Sequence, residues 1–225
     1  MKFLFFDTET TGLPLRHAPA SKVPNIWCYP VSIAWILADE DGMIINSEYH
    51  VIAPMGWEIP AEATAIHKIS TSTAIKYGIP LSEAISRFMW HFGMCDVLVA
   101  HNLNFDQNVI NNVLRWKLGK SMMLEDYGKR MFCTMINARS VVGLPGKTPG
   151  KFKTPKLSEM YKQLFGRDPV GVLHNAMTDT QVLMECFYRI WGTPCDLPAI
   201  PPILNNVITD NAVVTTLNIS LTDAT

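Results

Sequence analysis

The chain opens on an apolar run, Lys2-Phe3-Leu4-Phe5-Phe6, that delivers two carboxylates, Asp7 and Glu9, before Gly12 and Pro14 turn it away. Four large apolar residues in succession predict a strand covered on both faces, as in the middle of the sheet of an α/β protein. Side chains along a strand repeat every two residues, so Asp7 and Glu9 project from one face, just where the apolar run ends. Two anions held that close repel each other, and taking either from water is costly unless something positive offsets it. A divalent cation is the usual remedy, since hard cations take carboxylate oxygens. The plainer alternative is a pair of solvated acids at a loop mouth, and Asp-x-Glu alone favours it. Further acids at other strand ends decide between the two.

At 225 residues, with 48% hydrophobic and 17% charged residues, the chain can bury one sizeable core. A formal net charge of −1 separates it from proteins that hold nucleic acid mainly by coating phosphates. Binding through a few phosphates and a metal pocket stays open. The cysteines, Cys28, Cys95, Cys133, Cys186 and Cys195, are scattered without a Cys-x-x-Cys, which predicts reduced thiols rather than disulfides or structural zinc. The opening run is too short for a signal peptide, and no stretch approaches the roughly 18 apolar residues of a membrane span. The expectation is a cytoplasmic protein with no membrane partner.

Residues 15–30 form a proline-rich loop that leaves directly from the carboxylate pair, either as a wall of a site or as an insertion. Strands over 32–37 and 43–52, joined at Asp39-Glu40-Asp41-Gly42, make a hairpin. A helix is expected over 61–68. Another runs over 82–92 with Ser82 as its N-cap, and a short buried strand follows at 96–100. Phe105, Val109, Ile110, Val113 and Leu114 then mark one face of a helix whose first turn carries Asp106. Taken singly, Asp106 is explained by the helix dipole. A last strand is expected over 131–135 and a helix over 157–165, ending at Gly166. The final helix spans 175–191, with Val182, Leu183, Cys186, Phe187 and Ile190 as its buried stripe. Asp179 falls on that stripe and therefore needs a partner. His174 lies just ahead of it. Between these elements, 142–156 holds Lys147, Lys151, Lys153 and Lys156 among glycines and no acid. Such a run reads as a mobile solvated linker, and equally as the best candidate for touching a phosphate backbone. The domain is placed at 1–192, with 193–225 as an extended or disordered appendage.

Asp7, Glu9, Asp106 and Asp179 each stand at a strand end or on a helix near one, and such ends converge on one crevice where strands run parallel. Four carboxylates and a histidine make a poor core but a good cage for two divalent ions. Such a pair can activate water and stabilise the leaving oxygen of a phosphodiester. A neutral His, with a reference pKa near 6.5, can take the water's proton.

Three segments carry a resemblance: Phe6-Asp7-Thr8-Glu9-Thr10-Thr11-Gly12-Leu13-Pro14, His101-Asn102-Leu103-Asn104-Phe105-Asp106, and His174-Asn175-Ala176-Met177-Thr178-Asp179. Together they resemble the motifs of the DEDDh (DnaQ-like) 3′–5′ exonucleases. Ile66-His67-Lys68-Ile69 is similar to that family's Ile-His-Gly-Ile segment, with Lys68 in place of the commoner Gly. The resemblance covers roughly residues 2 to 191. It implies an α/β chain of RNase H-like fold, a five-stranded mixed β-sheet flanked by α-helices. It also implies Asp7, Glu9, Asp106 and Asp179 as ligands of two Mg²⁺ or Mn²⁺ ions and His174 as general base. Thr10, Leu13, His67 and Asn102 would line the pocket for the terminal nucleotide. The implied reaction is hydrolysis from the 3′ end, releasing nucleoside 5′-monophosphates. The expected substrate is single-stranded DNA, with RNA as the runner-up, and a polymerase or repair complex is an expected setting. A non-catalytic nucleic-acid-binding subunit is the third reading.

Overall fold

The opening apolar run becomes the middle strand, β1 (Lys2–Thr10), of a five-stranded sheet in the computed structural model, which describes residues 1–16, 18–171 and 173–192. On one side β2 (Pro30–Asp39) pairs antiparallel with β1, and β3 (Ile44–Val51) pairs antiparallel with β2, completing the expected hairpin. On the other side β4 (Val97–Ala100) runs parallel to β1, and β5 (Arg130–Cys133) runs parallel to β4. The order is β3-β2-β1-β4-β5, the mixed sheet expected of the RNase H-like fold. β2 pairs with β1 from Lys2 to Thr10, whereas β4 pairs only with Phe3, Leu4 and Phe5. Beyond Phe5, one edge of β1 has no neighbouring strand among the described residues, and there the acids lie.

The helices follow as α1 (Ala61–His67), α2 (Thr71–Tyr77), α3 (Leu81–Met94), α4 (Leu103–Trp116), α5 (Thr134–Asn137), α6 (Arg139–Val142), α7 (Leu157–Phe165) and α8 (Ala176–Trp191). Alternation along β1 assigns them to layers. Phe5, with Ile36 and Val99, packs against Met177, Leu183, Met184 and Phe187 of α8. Leu4 and Phe6, with Trp35 and Leu98, pack against Phe88 and Phe92 of α3 and Ile110 and Val113 of α4. Each such side chain, when fully buried, contributes about 1.5–3 kcal/mol.

Three expectations are corrected. Ser82 is not an N-cap: α3 begins at Leu81 behind Pro80, which offers no side-chain acceptor. α2 was not expected; its apolar residues are few, and it is started by Ser70, whose side chain accepts from the Thr73 N–H at 3.1 Å. Residues 142–156 are not a free linker. Pro145 and Phe152 form an antiparallel bridge, Lys151 O accepts from Gly146 N–H at 2.7 Å, and Arg139 Nε–H donates to Phe152 O at 2.6 Å. The appendage expected over 193–225 lies outside the described residues.

Part of loop 15–30, residues 18–28, is laid along α4. Asn108 Oδ1 accepts from Ala20 N–H at 2.8 Å, Trp116 Nε1–H donates to Ala20 O at 2.7 Å, and Trp27 packs on Phe105. These contacts fix it to the helix that carries Asp106.

Candidate active site

Asp7 and Glu9 project from the α8 face of β1, where Asp179, in the first turn of α8, meets them. One carboxylate oxygen from each of Asp7, Glu9 and Asp179 lies within 4.8 Å of the others. Asp106 reaches the same place from the opposite layer, through the gap left where β4 stops. It is buried, and its Oδ1 accepts from the Thr8 hydroxyl at 2.7 Å and from the Thr8 N–H at 3.2 Å. The structure thus groups three of the four expected ligands tightly and sets the fourth beside them, against Thr8.

The electrostatics agree with the crowding. Burial pushes Asp7 well above the usual carboxylate range, and the charges of Asp106, Asp179 and Glu9 add to it. Glu9 is pushed up to about 8 by burial, then by Asp179 and Asp106. Asp106 rises to about 7 through burial, although its bonds from Thr8 oppose the rise. Asp179 rises to about 6 through burial, held back by the N–H and the charge of His174. This donor set fits a hard divalent cation: it consists of oxygens alone, already gathered, and a cation would relieve the cost that raises each of them.

His174 is exposed at the entrance, with φ 66°, and its N–H donates to Asp179 Oδ2 at 3.0 Å. Asn175 caps α8, accepting from Met177 and Thr178 N–H, so the turn holding His174 is fixed by the helix that follows. Thr10 is half-buried, its hydroxyl donating to Gly12 O at 2.8 Å. His67 is buried behind it: Nδ1 accepts from Ile69 N–H at 3.2 Å, and burial lowers its pKa against the backbone of Thr10, which raises it. Leu13 is 82% exposed, an apolar side chain standing in solvent four residues after Glu9. Asn102, with φ 70°, turns the chain from β4 into α4. Lys68 adopts φ 64° and closes α1, which explains why Gly is the commoner residue there in the resembling motif.

Three participants have no clear signal in the sequence. Thr8 lies inside the Asp-Thr-Glu triplet, where only its alternation onto the α4 face could have marked it. Tyr49, on β3, is pushed up to about 12 by burial, with the charge of Glu9 adding to the shift. His101 stands out in the sequence only as the start of a motif. Its partners, Thr134 and Pro155, are 33 and 54 positions away.

A mixed five-stranded sheet with four acids at the end of its middle strand, and a histidine before the last of them, defines the DEDDh type of 3′–5′ exonuclease. Residues 4–187 match the RNase T exonuclease family, and the chain belongs to it. Members of this class are metal-dependent hydrolases. Comparison with curated proteins finds no match. Among solved structures, the fold is similar to that of E. coli exonuclease I bound to a dA13 oligonucleotide (18% identity, TM-score 0.65, covering 84% of this chain and 40% of that one). It is likewise similar to the zinc-bound complex of that E. coli enzyme with single-stranded DNA (19% identity, TM-score 0.63, 84% and 41%). A further exonuclease I structure gives 19% identity and a TM-score of 0.66 over 84% and 40% of the two chains. The chain spans about two fifths of the length of exonuclease I.

Proposed function

We propose that this protein removes nucleotides one at a time from the 3′ end of single-stranded DNA, releasing nucleoside 5′-monophosphates. The observation that carries the reading is the meeting of Asp7, Glu9 and Asp179 within 4.8 Å, in a chain of the exonuclease family. Two divalent cations, Mg²⁺ with Mn²⁺ as a substitute, held by Asp7, Glu9, Asp106 and Asp179, supply the Lewis acidity that this hydrolysis needs. His174 accepts the proton of the attacking water, from an exposed position where the solvent can carry it away. Leu13 packs on the terminal base, Thr10 lies near the 3′ hydroxyl, and His67 and Asn102 shape the rest of the pocket. The Lys-rich loop over 144–156 follows the phosphate backbone upstream.

DNA is favoured because the oligonucleotides bound to the E. coli relatives are dA and dT strands. RNA is the alternative, since the motifs do not report the sugar. Among the described residues no helix is long and apolar enough to cross a membrane. The free thiols of Cys28, Cys95, Cys133 and Cys186 support the cytoplasm as the location, with a polymerase or repair complex as the setting.

The test is product analysis on matched 5′-labelled DNA and RNA oligonucleotides with Mg²⁺. The expected result is a 3′-shortened ladder, faster on DNA and absent for Asp7→Ala. Equal, metal-independent behaviour of wild type and Asp7→Ala would sink the reading.

A further inference from the structure

His101 follows the last residue of β4, in the half-buried floor between that strand and β5. Its Nε2 lies 3.1 Å from Pro155 O, and its Nδ1 lies 3.0 Å from the hydroxyl of Thr134, the residue after β5. A carbonyl only accepts, so Nε2 carries the proton. In the neutral ring Nδ1 is then an acceptor, and the Thr134 hydroxyl donates to it; the other acceptor in reach of that hydroxyl, Ala100 O, is farther away at 3.4 Å. Burial pushes the imidazole down to about 4, against the bond it donates to Pro155 O, and keeps it in the neutral form that this scheme requires.

Pro155 is itself buried and ends the Lys-rich loop, just before α7. Upstream of it, Lys147 and Lys151 are exposed, and among the described residues neither has a carboxylate partner, whereas Lys153 is paired with Glu159 at 2.6 Å. One end of the loop is therefore bonded to the residues that follow β4 and β5, at the end of the sheet where the parallel strand β1 carries Asp7 and Glu9.

We propose that His101 is a positioning residue: its ring ties Pro155 to the ends of β4 and β5, and so holds Lys147 and Lys151 where they meet the phosphates of the bound strand. This deepens, and rests on, the reading of the site as one that takes a nucleic-acid 3′ end. It adds a link between the sheet's end and the loop that no shared position in the sequence suggests.

The experiment compares wild type, His101→Ala, His101→Gln, Thr134→Val and the double variant Lys147→Gln/Lys151→Gln. Amide hydrogen exchange over 144–156 is read without ligand. Affinity for a labelled dT oligonucleotide is read by anisotropy in EDTA across a salt series, and kcat and KM are read with Mg²⁺. For His101→Ala, exchange in the loop rises, KM and Kd rise together, and kcat stays within about twofold. The log K against log salt slope becomes shallower by about 0.7 for each phosphate that is no longer neutralised. His101→Gln, which keeps an N–H for Pro155 O, falls between, and Thr134→Val shifts in the same direction as His101→Ala. Adding His101→Ala to the lysine double variant weakens binding no further, because both act through one loop.

Unchanged exchange in His101→Ala overturns the tether. Faster exchange with unchanged affinity and salt slope overturns the positioning role, as does additivity with the lysine variant. A wild type that binds the oligonucleotide but never hydrolyses it defeats the exonuclease reading, while the exchange and binding arms still decide this one. A wild type that does not bind it overturns the proposal.

Discussion

The backbone N–H of His174 donates to Asp179 Oδ2 at 3.0 Å, so the candidate base is tied to a candidate metal ligand through its main chain and not through its ring. Replacing the side chain leaves that bond in place. His174 also has φ 66°, a conformation that Asn tolerates better than Ala. His174→Asn is therefore the cleaner variant. Its kcat is expected to fall by about 10²–10⁴, the usual contribution of a general base, with little change in melting temperature. Steady-state kinetics and a melting curve check this, and a kcat near wild type removes His174 from the mechanism.

The metal-free protein should lose stability as pH rises. Glu9, Asp106 and Asp179 have folded pKa values raised to about 8, 7 and 6, above those of the unfolded chain. A raised carboxylate holds its proton more tightly when folded, so its contribution is full below the unfolded value and is lost as pH climbs through the folded one. In EDTA the melting temperature is expected to decline between about pH 4 and pH 8, the window set by those shifts. A flat or rising profile there would show that the acids are not crowded in solution.

Mg²⁺ or Mn²⁺ should reverse that decline. A ligand at one hundred times its Kd stabilises the folded state by about 2.7 kcal/mol, and deprotonation of the acids at higher pH strengthens binding. The rise in melting temperature on adding metal is thus expected to be larger at pH 8 than at pH 6, and to shrink in Asp179→Asn. An equal rise in the variant would place the cation elsewhere.

Thr8→Val removes the hydroxyl that donates to Asp106 Oδ1 at 2.7 Å and keeps the shape of the buried side chain. Asp106 Oδ1 then keeps only the Thr8 N–H at 3.2 Å, and the lost bond should cost about 0.5–3 kcal/mol at neutral pH, measurable by denaturant unfolding in EDTA. Metal affinity, followed by calorimetry, is expected to weaken as well, since Asp106 loses the donor that favours its charged form.

Lys68→Gly is the opposite kind of change. Lys68 closes α1 at φ 64°, a conformation that is costly for a residue with a Cβ. The substitution should raise stability by up to about 1 kcal/mol, because relief of that strain exceeds the added freedom of the unfolded chain. Destabilisation would mean that the Lys68 Nζ bond to Ala65 O, at 2.5 Å, matters more than the backbone.

The sheet and the acids were legible because their signals are local. The apolar run of β1, the alternation that sets Asp7 beside Glu9, and the stripe that carries Asp179 inward can each be read within a dozen residues. The same periodicity that assigned Val109, Ile110 and Val113 to the core put Asp106 near the start of its helix. What was hidden depends on distant partners. Thr8 meets Asp106 across 98 positions, and Ala20 meets Asn108 across 88, so neither contact leaves a periodic trace. The Lys-rich segment misled for a related reason. Its composition is that of a linker, while the bonds that order it come from Arg139, Leu144 and His101. Ser82 misled in a simpler way: a good capping residue stood one position inside the helix that Pro80 had already begun.

β4 stops pairing with β1 at Phe5, while β1 runs on to Thr10. A strand left half-bare in this way is a template on which the strand of another molecule can add, the first step toward swapped or aggregated chains. The Thr8 amide on that bare edge is already taken by Asp106. The carboxylate that enters beside the other acids thus also occupies this edge at Thr8. Loss of Asp106 should free that amide and lower the protein's solubility on standing.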